Sequence, residues 1–272
     1  MKLGKIIYIA AVVILLVVFV VSAVYVISYF VDSAEQKAEY DELAGIVESI
    51  QKENPEDTKP TDSVGVPDPN DTASTAPIED GGILLEYAPL YEMNDHMVGW
   101  LRIEGTNVNY PVMQTPDSRD YYLYRNFNKE YNIRGCLYAR ESCDIDMPSD
   151  NITIYGHNMN DGSMFHDLLD YQFKDFYEEH SLITFDTLTE RHTYQIFAVF
   201  KTTATVGEGF SYHRFENAAN QREFDNFVTT CKRLSFFDIG FTPQYGDKII
   251  CLSTCEYTLE NGRFVVAAYR VS

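Results

Sequence analysis

A thiol and a guanidinium stand close together near the end of the chain. Cys255 closes the apolar run Asp247–Cys255, and Arg263 opens the run Arg263–Val271. If these runs are strands paired antiparallel across the loop 256–262, the two side chains meet at one rim of a sheet. A cysteine is a nucleophile only as the thiolate, and with an ordinary pKa of ~8.5 it needs a nearby cation or imidazole. Arg263 is charged at any relevant pH. A thiolate so placed can attack a carbonyl carbon and hold the acyl group as a thioester.

An imidazole is also available. Of the histidines at 96, 157, 166, 180, 192 and 213, His157 stands apart, because it ends the strand-like run Asn-Ile-Thr-Ile-Tyr-Gly-His, directly after a glycine and before polar Asn158 and Asn160. A rim is where a catalytic imidazole is held. Cys251 is on the same strand face as Cys255 but four residues deeper, and reads as an inert core thiol. Cys136 and Cys143 either bridge or stay free; spacing leaves both open. Metal binding fits poorly. The sequence has no Cys-x-x-Cys and no His-x-x-x-His, and two cysteines four residues apart on one strand are separated by about 13 Å, too far for one zinc ion. Phosphate-binding glycine loops and a Gly-x-Ser-x-Gly nucleophile motif are missing as well, so no cofactor is expected.

The elements that would position these groups are short apolar runs divided by Gly, Asn, Asp and Pro. Eight are legible: Trp100–Ile103, Val108–Met113, Cys136–Arg140, Ile152–Tyr155, Leu182–Phe185, His192–Thr203, Lys248–Cys255 and Phe264–Val271. Strands of this kind predict a mainly β fold, a closed barrel or a sandwich. Helices are predicted over Ile83–Met97, Ser118–Tyr124, Met164–Tyr171, Phe173–Glu179 and Asn217–Ser235. The last has Ala218, Phe224, Phe227, Val228, Cys231 and Leu234 on one face.

Upstream the chain changes character twice. Residues 6–31 carry no charge and as a helix would span ~39 Å, enough to cross a bilayer with some tilt. Val21-Ser22-Ala23 resembles a signal-peptide cleavage site, but the apolar run is too long for one and continues past it. Lys2 and Lys5 precede the run, and Asp32 and Glu35 follow it, which places the N-terminus in the cytoplasm and the bulk of the chain outside. Residues 32 to about 50 are helix-forming in composition, a charged stalk. Between Asp41 and Glu86 there is no aromatic residue, while prolines at 55, 60, 67, 69 and 77 punctuate Asp, Glu, Ser and Thr; such a segment is expected to be a disordered tether. The net charge is −20, with no basic stripe, so nucleic acid is excluded as a partner.

Leu252-Ser253-Thr254-Cys255 resembles the Thr-Leu-x-Thr-Cys signature of sortases, the membrane-anchored cysteine transpeptidases of Gram-positive bacteria, and Tyr155-Gly156-His157-Asn158-Met159 and Arg263-Phe264-Val265-Val266 match in the family's His, Cys, Arg order. The long helix before the cysteine strand, together with the helix near Ile83, looks like class B. Cys251 departs from the signature's first threonine.

The resemblance implies a closed eight-stranded sortase-type β-barrel with accessory helices, and three regions: a cytoplasmic stub and membrane anchor at 1–31, an acidic stalk and linker at 32–82, and an extracellular catalytic domain at 83–272. It implies catalysis by Cys255, His157 and Arg263, with Ser253 and Thr254 contacting substrate. The donor would be a secreted protein with a C-terminal sorting signal of the Asn-Pro-x-Thr-Asn or Leu-Pro-x-Thr-Gly type. The acceptor would be an amine of the peptidoglycan precursor or cross-bridge. Neither ATP nor metal is required. Polymerisation of pilins through a lysine and transfer to water by a secreted cysteine peptidase are the alternatives. One geometric condition attaches: a tight turn at Asn261-Gly262 would pair Glu260 with Arg263 and carry the thiol about five residues away from it, so the catalytic reading needs an open loop.

Overall fold

The structure is a computed structural model and describes residues 2–54, 82–205 and 207–272. Two compact units make up the chain, Met1–Leu43 and Ala44–Ser272. A single helix α1, Lys2–Glu53, accounts for the described part of the first unit and enters the second. It is long and apolar enough to cross a membrane, and it runs on unbroken through the stalk. Residues 32–53 favour helix, and α1 stops just short of Pro55, the first proline of the chain. The tether expected beyond it falls largely on residues 55–81, outside the described residues.

The second unit continues with α2 (Ala88–Met93) and then β1 (Met97–Arg102), β2 (Asn109–Met113), β3 (Leu137–Ala139) and β4 (Asn151–Tyr155). After them come α3 (Lys174–Glu179), β5 (Leu182–Thr187), β6 (Thr193–Thr203), α4 (Gln221–Leu234), β7 (Ile249–Glu256) and β8 (Gly262–Arg270). The eight strands close into a barrel in the order β1-β2-β3-β4-β7-β8-β6-β5. The pairs β2–β3 and β4–β7 are parallel and the others antiparallel. All eight predicted strands are present, with ends shifted by one or two residues in most cases.

The helices required more correction. The one expected over Ile83–Met97 is only α2: Pro89 sits in its first turn, where a missing N–H costs nothing, and Asn94 ends it in an extended conformation. The Asn94 amide donates to the Phe127 carbonyl and the Tyr122 hydroxyl, so Met97 is already in β1. The segments 118–124 and 164–171 yield short 3₁₀ helices, Tyr121–Tyr124 and His166–Gln172. α4 begins at Gln221 because Asn220 Oδ1 accepts the Glu223 N–H at 3.2 Å, an N-cap that ends the preceding loop. Ala218 therefore lies before the helix, its N–H donated to Asp150.

α4 explains why both faces of β7 are apolar. Phe224, Phe227, Val228 and Cys231 pack with Phe197, Phe200, Ile249, Cys251, Val265 and Ala267 in one buried cluster. The odd-numbered positions of β7 thus face out of the barrel under α4, and Ile250 and Leu252, also buried, face in.

Candidate active site

β7 lies between its parallel neighbour β4 and its antiparallel neighbour β8, and its end collects the predicted groups from both. On the β8 side Cys255 pairs with Arg263 and Glu256 with Gly262. Thus the open-loop condition is met: the ladder runs one pair further than the sequence suggested, only 257–261 remain unpaired, and Asn261 turns the chain at φ 51°. On the β4 side Tyr155 pairs with Ser253. The strands stay together beyond that, since Gly156 N–H donates to the Ser253 carbonyl at 3.1 Å and the Asn158 amide to the Cys255 carbonyl at 3.4 Å. His157 and Cys255 each lie two residues past a matched pair on parallel strands whose spacing is about 4.8 Å. The result is a row across three strands, with imidazole, thiol and guanidinium at one rim. All three residues are partly exposed.

His157 is held from outside the barrel. Its Nε2 is 2.7 Å from the Leu123 carbonyl in the 3₁₀ turn Tyr121–Tyr124. A carbonyl can only accept, so Nε2 carries a hydrogen and Nδ1 is the ring nitrogen left to accept one. The ring also lies 5.6 Å from that of Tyr124. Burial lowers the His157 pKa from its ordinary value, partly offset by the hydrogen bond to Leu123, which favours the neutral ring that a proton acceptor needs.

Arg263 Nη1 donates to the carbonyls of Gly262 and Asn261 at 2.9 and 3.3 Å, so the guanidinium is tied to its own loop while keeping further N–H groups for a ligand. Ser253 and Thr254 are buried. The Ser253 hydroxyl meets that of Tyr212, and Thr254 Oγ1 donates to the Gly156 carbonyl at 2.8 Å. In this structure both hydroxyls brace the site from within.

Cys255 is the one partly exposed thiol among the five cysteines. Burial pushes Cys251 and Cys231 far up and raises Cys143 to about 11, which leaves them unreactive. Cys136 and Cys143 are separate thiols here. No group of His, Cys, Asp and Glu suited to a metal occurs among the described residues. A cavity of about 380 Å³ lined by Tyr87, Trp100, Asp186, Arg191 and Ser272 belongs to the other end of the barrel, where β6 begins, and takes no part in this site.

Sequence reasoning missed several partners. Leu123 acts through a backbone carbonyl and leaves no signature. Tyr212 arrives from a loop 41 residues before Ser253. Asn158 is fixed by His166 Nδ1 at 2.9 Å, an interaction only the fold creates. Glu256 was legible as a neighbour of the thiol, but its partner Lys201 is on β6, 55 residues away.

A closed mixed barrel preceded by an apolar helix, with a thiol, an imidazole and a guanidinium at one rim, points to one class of protein. The sortase domain family model matches residues 101–271, so the chain belongs to the sortase family and is, by that membership, a transpeptidase. Its relatives are of class B. It is 34% identical over 188 residues to sortase B of Listeria monocytogenes, covering 68% of this chain and 74% of that one. It is 27% identical over 258 residues to sortase B of Staphylococcus aureus, covering 94% and 93%. The structure of a Staphylococcus aureus sortase B-substrate complex superposes with a TM-score of 0.73 at 25% identity, over 89% of this chain and 98% of that one.

Proposed function

We propose that the chain is a class B sortase that joins secreted proteins to an amine of the cell wall through a thioester on Cys255. The observation that carries this is the row of Cys255 and Arg263, paired across β7 and β8, with His157 two residues past the end of β4 beside them. The Cys255 thiol gives its proton to His157 Nδ1, and the resulting thiolate attacks the carbonyl carbon of the threonine in a C-terminal sorting signal. The tetrahedral oxyanion collapses, the C–N bond breaks, and the departing amine takes a proton from His157. The acceptor amine then attacks the thioester, gives its proton to the imidazole and releases the thiolate, so bonds balance without ATP.

Arg263 donates to the oxyanion with the N–H groups its loop does not occupy, and loss of one such donor typically costs about 3 kcal/mol. His157 moves protons through Nδ1, Nε2 being committed to Leu123. Ser253 and Thr254, both buried, serve the site by holding the strand ends through their hydroxyls. The anchor occupies 1–31 with the N-terminus in the cytoplasm, the stalk and tether 32–82, and the catalytic domain 83–272 outside. This assignment is supported by α1, which extends from the apolar span into the acidic stalk without a break.

The decisive experiment uses Cys255→Ala. Wild type should cleave a sorting-signal peptide and yield a hydroxylamine-sensitive adduct on Cys255, and the variant neither. Cleavage retained by the variant rules out the nucleophile. Product mass with and without an added amine separates transpeptidation from transfer to water, and ladders formed from a lysine-bearing pilin would reassign the acceptor.

A further inference from the structure

Directly after the nucleophile is a buried acid for which the proposed chemistry has no use. The Glu256 side chain is 3% exposed, on the opposite strand face from Cys255. Its Oε1 receives the Lys201 ammonium at 3.0 Å and the Thr258 N–H at 3.0 Å, and Lys201 also reaches the Thr258 hydroxyl at 3.5 Å. Burial alone would raise this carboxyl, but Thr258 and Lys201 hold it below the usual range. Its Oε2 is buried with no partner among the described residues, a desolvation cost that the ion pair must offset.

The network closes on Arg263. Gly262, the ladder partner of Glu256, leaves no room for a side chain: a Cβ there would lie 2.3 Å from the Glu256 carbonyl oxygen and 3.0 Å from Oε2. The Gly262 and Asn261 carbonyls that tether the Arg263 guanidinium are therefore the backbone that Glu256 packs beneath. Thr258, which Glu256 holds, lies in the same five-residue loop. Lys201 is on β6, opposite Phe264 of β8, so the ion pair joins β6 to the tip of the β7–β8 hairpin.

We propose that Glu256, clamped by Lys201, is a positioning residue that sets the β7–β8 loop and thereby holds Arg263 beside Cys255. This deepens the acyl-transfer reading and rests on it. The clamp acts through the arginine and not through the thiol. A displacement of about 1 Å at an oriented group can cost on the order of a hundredfold in rate.

The test is a double-mutant cycle on the full-length protein in detergent, read as the single-turnover rate of Cys255 acylation by a sorting-signal peptide. Glu256→Gln should slow acylation about tenfold or more in the wild-type background, and should add no further loss in Arg263→Ala. Lys201→Met should reproduce the loss and Lys201→Arg should restore most of it. Alkylation of Cys255 by iodoacetamide, which forms no oxyanion, should fall by much less than acylation in every variant. An equal loss from Glu256→Gln in both backgrounds overturns the clamp, as does an unchanged rate in Glu256→Gln. If Glu256→Gln does not fold, the partly exposed Lys201→Met carries the same cycle. Unimpaired acylation in Arg263→Ala instead refutes the underlying role of the arginine, and the clamp with it.

Discussion

Gly135 lies far from Cys255 in sequence, yet the structure makes it a determinant of the imidazole. Its φ is +58°, and a Cβ there would sit 2.4 Å from the Tyr122 carbonyl oxygen and 2.5 Å from that of Leu123. The latter oxygen accepts the His157 Nε2 hydrogen. To reach an ordinary contact of 3.4 Å, the Leu123 carbonyl must retreat by roughly 1 Å, which takes a 2.7 Å hydrogen bond out of range. Gly135→Ala should therefore release the ring and its tautomer together, lowering kcat for signal cleavage on the order of a hundredfold. The left-handed backbone adds strain of about 1–2 kcal/mol. Gly240→Ala isolates that contribution, because Gly240 has φ +81° and nothing within 4 Å of its Cβ position. Steady-state cleavage and thermal melts of both variants form the assay. Both melting temperatures lowered, that of Gly135→Ala the more, with activity lost only in Gly135→Ala, is the expected pattern. Wild-type kcat in a folded Gly135→Ala protein would refute the claim that the Leu123 carbonyl orients His157.

Three further outcomes are expected. Arg263→Lys should lose about two to three orders of magnitude in kcat, since an ammonium can neither span the loop carbonyls nor offer a planar fork to the oxyanion; near-normal turnover would make the arginine structural. In an NMR titration of Cys255→Ala, the His157 ring should protonate with a midpoint below the ordinary 6.5, because burial disfavours the imidazolium; a midpoint at or above that value contradicts the assignment. Asp186, buried beneath Tyr87, has its carboxyl raised by burial to about 6 against an ordinary 3.8. A group raised on folding gives its full stability below the unfolded value and loses it as pH rises through the folded one. Relative to Asp186→Asn, wild type should thus lose up to about 3 kcal/mol between pH 4 and pH 6. Urea melts followed by Trp100, the single tryptophan and the ladder partner of Asp186, would show this, and a difference independent of pH would exclude it.

The strands were legible because their apolar runs are short, rich in β-branched and aromatic residues, and separated by turn formers. Helix ends were not. Asn94 and Asn220 decide where α2 stops and α4 starts, yet both act through specific partners, Phe127 and Tyr122 for one and Glu223 for the other. The two-residue period of β7 put Cys251 and Cys255 on one face, but which face α4 covers depends on the packing of Phe224 and Phe227. Within the site, the pairing of Cys255 with Arg263 followed from local chain reversal, whereas the Leu123 carbonyl and the Lys201 ammonium come from 34 and 55 residues away. No local pattern encodes contacts of that range.

What makes this rim chemically competent is the β4–β7 pair. Parallel strands need a long crossover, and here residues 156–248 lie between them, carrying α3, β5, β6 and α4. That separation lets the imidazole and the thiol descend from distant parts of the sequence while their register is set by five consecutive pairs, Asn151–Ile249 through Tyr155–Ser253. A slip of one residue in β7 would turn Cys255 toward the barrel interior and bring Thr254 out beneath α4. Such a slip would also drive Ile250 and Leu252 out of the barrel interior and separate Ser253 from Tyr212. The close packing on both faces of β7, the hydroxyl pair beside it and the buried Glu256 at its end all oppose the same error. The residues that stabilise the strand are therefore the ones that aim the thiol.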